Sequence, residues 1–290
     1  MSVADDLIWD RPSDGPLLAR LYRPAAHRPL AAVVSVHGGR WCAESRLTNA
    51  VIDTALAEAG VLVMAIDFRM PPAHRYPLPV TDINRAIRWL KSHADRYGID
   101  PCKVGGIGTS SGGHQLLLNA LLPDAPVYTG FPSGAASQMQ QAGGPDASLA
   151  FVITCWAVSD PRARYRYALQ QRMQLHIDSH EAYWRDEAQM DEGSPQRIVE
   201  SGAATHRPPL LMIQGTADTV LTPDMAPRFA GAYAAAGADV ELKMFDGVGH
   251  TFITKEPTRP ESQAALRALC AFAAAAGRRA APHDEQAAAG

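Results

Sequence analysis

The stretch Gly108-Thr109-Ser110-Ser111-Gly112-Gly113-His114 decides how this chain is read. It carries a G-x-S-x-G pattern, and its flanks give that pattern a context. Lys103-Val104-Gly105-Gly106-Ile107 suits a short buried strand running in, and Gln115-Leu116-Leu117-Leu118-Asn119-Ala120-Leu121 suits a helix running out. A strand–turn–helix of this kind can hold a serine at the tip of a strained turn, with its hydroxyl exposed above a sheet. Gly108 and Gly112 stand where side chains would collide with the neighbouring strand or helix. A phosphate-cradling loop would also use glycines, but it wants G-K-[ST] at its end and no lysine stands there. Ser110 alone has glycines two residues away on each side, which makes it, rather than Ser111, the candidate nucleophile.

Around this turn, apolar strands alternate with helical patterns from residue 30 onward, which implies a mainly parallel sheet covered on both faces. Strands are expected over 31–36, 61–66, 151–158, 210–214 and 240–245, and helices over 45–60, 81–97, 223–236 and 262–275. Thr81 is placed to cap the second of these helices. Residues 7–11 and 17–23 read as an opening hairpin, with Ser13-Asp14-Gly15 as its turn. Two stretches break the alternation. Residues 123–148, rich in Gly, Pro, Ser and Gln, read as a long surface connection, and residues 160–208 carry Tyr165, Tyr167, His176, His180, Tyr183 and Trp184. That aromatic content argues against disorder and for a helical cap over the site, a flanking helical pair being the alternative. The domain reading is therefore one unit over 1–277 with a cap insertion at about 160–208, and a loose tail over 278–290.

Bulk properties narrow the function classes. The 290 residues are 47% hydrophobic and 20% charged, as a globular chain with a full core requires. A formal net charge of -3 gives no support for nucleic-acid binding. No apolar run approaches the roughly 18 residues of a membrane span, and the acidic start lacks the order of a signal peptide. Cys42, Cys102, Cys155 and Cys270 are scattered without a C-x-x-C pair, so neither a zinc site nor a disulfide framework is indicated. Cytoplasmic residence and a small-molecule partner are the simplest reading, with a homodimer left open.

The strand at 31–36 ends in His37-Gly38-Gly39-Arg40-Trp41, which resembles the His-Gly-Gly loop of esterases and lipases. Gly215-Thr216-Ala217-Asp218 and Asp246-Gly247-Val248-Gly249-His250 each follow a predicted strand, and the order Ser110, Asp218, His250 is that of the α/β-hydrolase triad. From about residue 30 to 275 the chain resembles α/β-hydrolases, and Asp67-Phe68-Arg69-Met70-Pro71-Pro72 with Asp82 and Trp89 resembles hormone-sensitive-lipase-like esterases. Arg40 stands where that group has a third glycine, and the His-Gly-Gly-X-Trp form is similar to kynurenine-formamidase-like and feruloyl- or acetyl-esterase-like hydrolases. The Gly-Thr-Ala-Asp loop is similar to that of dienelactone hydrolases.

The resemblance implies an α/β-hydrolase fold and a cofactor-independent serine hydrolase of carboxylic esters with a small to medium acyl group. An arylformamidase or amidase is the second reading, and a non-catalytic binding protein of the same fold the third. It implies Ser110 as nucleophile, His250 as general base and acid, and Asp218 as the residue that orients His250. The N–H groups of Gly39, Arg40 and Ser111 would form the oxyanion hole, and His37 would brace the loop. Trp41, Tyr183 and Trp184 are candidate substrate-pocket residues, and no metal ligands are assigned. His114 is expected as a packed or capping histidine. Asp160 is an alternative acid, and His176 with His180 lacks the third ligand a metal would need. The Arg40 guanidinium either holds a substrate carboxylate or faces solvent.

Overall fold

The computed structural model describes residues 3–25, 28–129 and 144–278. Its strands are β1 (Val3–Asp10), β2 (Leu17–Arg23), β3 (Ala31–Val36), β4 (Val61–Ile66), β5 (Val104–Thr109), β6 (Val152–Cys155), β7 (Leu210–Gly215) and β8 (Val240–Phe245). They form an eight-stranded sheet in the order β1-β2-β4-β3-β5-β6-β7-β8. The β1–β2 hairpin is antiparallel, β2 joins β4 antiparallel, and β3 to β8 run parallel to one another. Both faces of the middle strands are covered, and every residue of β3, β4, β5 and β7 is buried; β3, β4 and β7 are accordingly mostly aliphatic, whereas β5 is half glycine. The edge strand β8 instead has no buried position: Glu241 and Met244 are exposed and the other four are half-buried.

Helices α1 (Ala50–Glu58), α2 (Leu78–Ser92), α3 (Ser110–Leu121) and α4 (Pro126–Thr129) belong to the first half of the chain. The helix expected over 45–60 begins later, because Asn49 is spent elsewhere: its amide donates to the Ser35 hydroxyl (3.3 Å) and its oxygen accepts from Thr109 (3.0 Å). Thr81 is not a cap. Helix α2 opens three residues earlier, where Pro79 fits the first turn, and the buried Thr81 hydroxyl donates back to the Pro77 carbonyl at 3.3 Å. Strand β6 is shorter than expected because Trp156 takes a left-handed backbone (φ 44°) that ends the ladder. Residues 130–143 of the expected surface connection, and 279–290 of the expected tail, lie outside the described residues.

Between β6 and β7 the chain forms α5 (Pro161–Gln170), α6 (Gln174–Tyr183), α7 (Glu187–Glu192) and α8 (Pro195–Glu200). Asp160, Asp186 and Ser194 cap three of these helices by accepting the N–H three residues on. After β7 come α9 (Met225–Ala235), the short α10 (Phe252–Lys255) and α11 (Pro260–Arg278).

The insertion is fastened to the sheet by aromatic rings. Trp41 is fully buried and stacks on Tyr183 at 5.1 Å, with Trp184 edge-on at 6.0 Å and His180 at 4.9 Å. Trp184 in turn leans on Tyr76 at 4.7 Å. Trp41, Tyr183 and Trp184, expected to line the substrate pocket, are therefore core residues: each is at most 1% exposed. Aromatic enrichment signals burial of some kind, and here the rings bury against one another.

His114, on α3, locks the same junction. Its Nδ1 accepts from the Trp41 indole N–H (3.1 Å), so the proton sits on Nε2, which donates to the Gly193 carbonyl (2.8 Å). Burial pushes its pKa down to about 4, against the pull of the Gly193 carbonyl.

Truncating Trp184 to Ala should lower stability by about 3–5 kcal/mol, as buried aromatic-to-alanine changes do, seen as a fall in the urea midpoint. A change within the error of that midpoint would mean the ring is not part of the core. His114 should also make stability depend on pH. Its pKa in the folded chain lies below that of an unfolded histidine, about 6.5. Below that value the unfolded state binds the extra proton, so stability is lost as pH falls from about 6.5 towards 4. The slope of unfolding free energy between pH 6 and 5 should be steeper in the wild type than in His114→Gln by nearly one proton, about 1.4 kcal/mol per pH unit. Equal slopes in a denaturant series would contradict a neutral His114.

Candidate active site

Ser110 sits where β5 hands over to α3, at φ 50°, a left-handed backbone that non-glycine residues rarely hold. The turn closes only because α3 comes very near the loop after β3: a Cβ on Gly112 would lie 2.1 Å from the His37 carbonyl oxygen. That loop is braced from behind. His37 is 1% exposed, donates from Nδ1 to the Gly38 carbonyl (2.8 Å) and stacks on Phe68 at 4.5 Å. Phe68 is held in turn by its neighbour Arg69, whose guanidinium reaches both oxygens of the buried Asp82 at 2.9 and 2.7 Å. The segment that resembles lipase-like esterases thus acts as a brace for the His37 loop.

Ser110, His250 and Asp218 are brought into one hydrogen-bonded line. His250 Nδ1 donates to Asp218 Oδ2 (2.8 Å), which leaves Nε2 to accept from the Ser110 hydroxyl (2.9 Å). Asp218 is fully engaged: the same oxygen accepts from Gln214 (2.9 Å), and Oδ1 accepts from the Val220 and Leu221 N–H groups at 2.8 and 3.3 Å. Burial disfavours the charged carboxylate, yet the hydrogen bonds from His250, Gln214 and Val220 outweigh it and hold the pKa below the usual carboxylate value. Asp160 is not in this line. It caps α5 and pairs with Arg228.

Opposite Ser110, Gly39 (φ 99°), Arg40 (φ 56°) and Trp41 (φ 65°) trace a left-handed turn. A Cβ on Gly39 would lie 2.1 Å from the Ala43 carbonyl, so no other residue fits. The Trp41 N–H donates to the Ser111 hydroxyl (2.9 Å), tying the turn to the start of α3. Among the described residues the N–H groups of Gly39 and Arg40 meet no protein acceptor, and that of Ser111 belongs to the unpaired first turn of α3. A cavity of about 340 Å³ opens here, lined among others by Gly39, Arg40, Ser110, Trp156, Arg164 and His250.

Sequence reading missed Trp156 and Arg164, which the insertion and the end of β6 bring to the cavity. His176 lines the cavity, whereas His180 is buried with Nδ1 donating to the His176 carbonyl (2.8 Å), so the two do not face a common ligand. Among the described residues, no group of three or more His, Cys, Asp or Glu is arranged to hold a metal ion.

The BD-FAE family profile matches residues 20–232, and that of the dienelactone hydrolase family residues 193–275. Esterase LipC of Mycobacterium tuberculosis is 29% identical over 235 residues, 78% of this chain and 54% of LipC. The chain thus spans about half the length of that relative. Ethyl acetate hydrolase of Pseudomonas putida is 29% identical over 249 residues, 82% of this chain and 71% of the relative. Among solved structures, Thermogutta terrifontis esterase 2 phosphorylated by paraoxon has a TM-score of 0.73 at 23% identity, covering 93% of this chain and 92% of its own. A hyperthermophilic esterase from the archaeon Pyrobaculum calidifontis has a TM-score of 0.74 at 22% identity, covering 94% and 85%. These two share the α/β-hydrolase fold implied by the sequence. With its profile matched over residues 20–232, the chain belongs to the BD-FAE family.

Proposed function

We propose that this protein is a serine hydrolase that cleaves carboxylic esters with a small to medium acyl group through an acyl-enzyme. The observation that carries the reading is the continuous line from Asp218 through His250 to Ser110, ending in the cavity. The relatives named as ester hydrolases support ester rather than formamide cleavage.

In this mechanism His250 Nε2 takes the Ser110 proton as Oγ attacks the ester carbonyl. Asp218 keeps the imidazole in the required tautomer and stabilises the imidazolium. The developing oxyanion is met by the N–H groups of Ser111, Gly39 and Arg40; those of Gly39 and Arg40 are taken by no protein acceptor among the described residues, which supports this role. The tetrahedral intermediate collapses by breaking the acyl carbon–oxygen bond, and the alkoxide leaves as alcohol with the proton from His250. Water, deprotonated by His250, then attacks the acyl-enzyme so that the acid leaves and Ser110 regains its proton. Every proton passes through the chain's own groups, so the reading includes no cofactor. A cavity of about 340 Å³ lies at the small end of ligand sites, in keeping with a modest acyl group.

Residues 1–277 would work as one unit, with the insertion at 160–208 as a wall of the site through Arg164 and His176. Among the described residues no helix is long and apolar enough to cross a membrane, and the free cysteines suit a reducing compartment such as the cytoplasm.

Ser110→Ala should reduce ester turnover by about 10⁶, whereas Ser111→Ala should cost far less. Retained turnover in Ser110→Ala would move the nucleophile elsewhere. Asp218→Asn should cost on the order of 10⁴ in kcat by presenting the wrong imidazole tautomer, and Asp160→Asn little; the reverse ranking would reassign the acid. Rates across para-nitrophenyl esters of rising chain length, set beside an N-formyl arylamine, should favour short esters. Selective formamide cleavage would replace the ester reading.

A further inference from the structure

The cavity holds charge that ester hydrolysis as such does not need. Arg164, on α5, is 1% exposed and lines the cavity. A guanidinium this deep normally has a carboxylate, because an unpaired buried charge costs several kcal/mol. Elsewhere this protein obeys that rule: Arg46 pairs with Asp67, Arg69 with Asp82 and Arg85 with Asp10. Among the described residues no carboxylate lies within ion-pair distance of Arg164, and its Nε has no partner. What surrounds it compensates weakly. It lies 5.5 Å over the Trp41 ring, and Nη1 is 3.4 Å from His180 Nδ1. That nitrogen already gives its proton to the His176 carbonyl, so it offers Arg164 no lone pair. Burial lowers the Arg164 pKa to about 9, with Asp218 opposing and Arg40 adding to the fall, so the group stays cationic at neutral pH.

A second guanidinium reaches the same cavity from the loop after β3. Arg40 also has a buried Nε without a partner, and no carboxylate pairs with it among the described residues. Lys255 adds a third cationic side chain to the lining, and His176 stays neutral because burial and then Arg164 push its pKa down to about 4. Glu44, which accepts from the Thr48 hydroxyl at 3.1 Å, is the carboxylate on the wall. Neither arginine side chain has a part in the proton transfers from Ser110 to His250.

We propose that the substrate is an ester that carries a carboxylate, held by the guanidinium groups of Arg164 and Arg40, in its acyl part or in its alcohol part. The proposal rests on the ester-hydrolase reading and names the substrate class of that site. The carboxylate would supply the counter-charge that the fold withholds from Arg164, and its planar pair of oxygens matches the fork of a guanidinium. It is also compact enough to share a cavity of about 340 Å³ with the reacting ester. The carboxylate is not consumed; it fixes where the ester carbonyl lies relative to Ser110.

The test compares ester pairs that differ only in charge: mono-para-nitrophenyl adipate with para-nitrophenyl adipamate for the acyl side, and para-acetoxybenzoate with para-acetoxybenzamide for the alcohol side. In at least one pair kcat/KM should favour the carboxylate by about tenfold or more, the worth of one charge-assisted hydrogen bond. In Arg164→Gln and in Arg40→Gln that ratio should fall towards one, chiefly through KM. A wild-type ratio of one or less in both pairs overturns the proposal while ester hydrolysis stands. An equal loss on both members of the favoured pair in both variants overturns it as well, by making the arginines structural. Calorimetry on Ser110→Ala with adipate and with para-hydroxybenzoate gives a readout free of turnover. Binding that disappears when Arg164→Gln is added supports the charged subsite even if no ester is cleaved, in which case the hydrolase reading alone falls. Absence of binding for both acids overturns the subsite.

Discussion

The left-handed backbone of Ser110 is the constraint on which the surrounding structure depends. A non-glycine residue held at φ 50° costs about 1–3 kcal/mol and persists only where its surroundings over-determine it. Here they do so in sequence. Gly112 lets α3 touch the His37 carbonyl, His37 rests on Phe68, and Arg69 anchors that segment to the buried Asp82. On the other side Ser111 holds the Trp41 N–H, and Trp41 carries the rings of the insertion. Strain at one residue is thus met by packing from β3, β4, α2 and the segment between β6 and β7.

Histidines in this protein are sorted by what their nitrogens face. His37, His114 and His180 each give a ring proton to a backbone carbonyl and lie out of water, and burial lowers the pKa of all three. His250 instead gives its proton to a carboxylate and presents a free lone pair to a hydroxyl. The difference between these three imidazoles and His250 lies in the acceptor on the far side of the ring, a carbonyl in the first case and a carboxylate in the second.

Much of this arrangement could be read from residue order. Continuous aliphatic runs marked β3, β4 and β7 to within a residue, because strands buried on both faces leave no other pattern. Glycine spacing marked the turn at Ser110, since a close approach demands glycine wherever it occurs. The hydrogen-bonded line of Ser110, His250 and Asp218 follows the order in which strands deliver residues to one edge of a parallel sheet. What stayed hidden depends on facing. Asn49 looks like a helix residue until Ser35 and Thr109 claim its amide. Trp41, Tyr183 and Trp184 have pocket-like chemistry, but only the fold decides whether rings meet a ligand or each other. Arg164 shares a buried helical face with Pro161 and Ala168, yet an arginine in that register reads as a surface residue.

The junction at His114 bears on how freely the insertion between β6 and β7 can be replaced. Trp41 comes from the loop after β3, His114 from α3 and Gly193 from the insertion, and one imidazole joins all three. The insertion is therefore no interchangeable module. Replacing residues 160–208 would leave the buried His114 Nε2–H without its acceptor unless the incoming segment set a carbonyl where that of Gly193 lies. An insertion of another shape at residue 193 therefore has to be matched on α3, which ties this wall of the cavity to the helix that begins at Ser110.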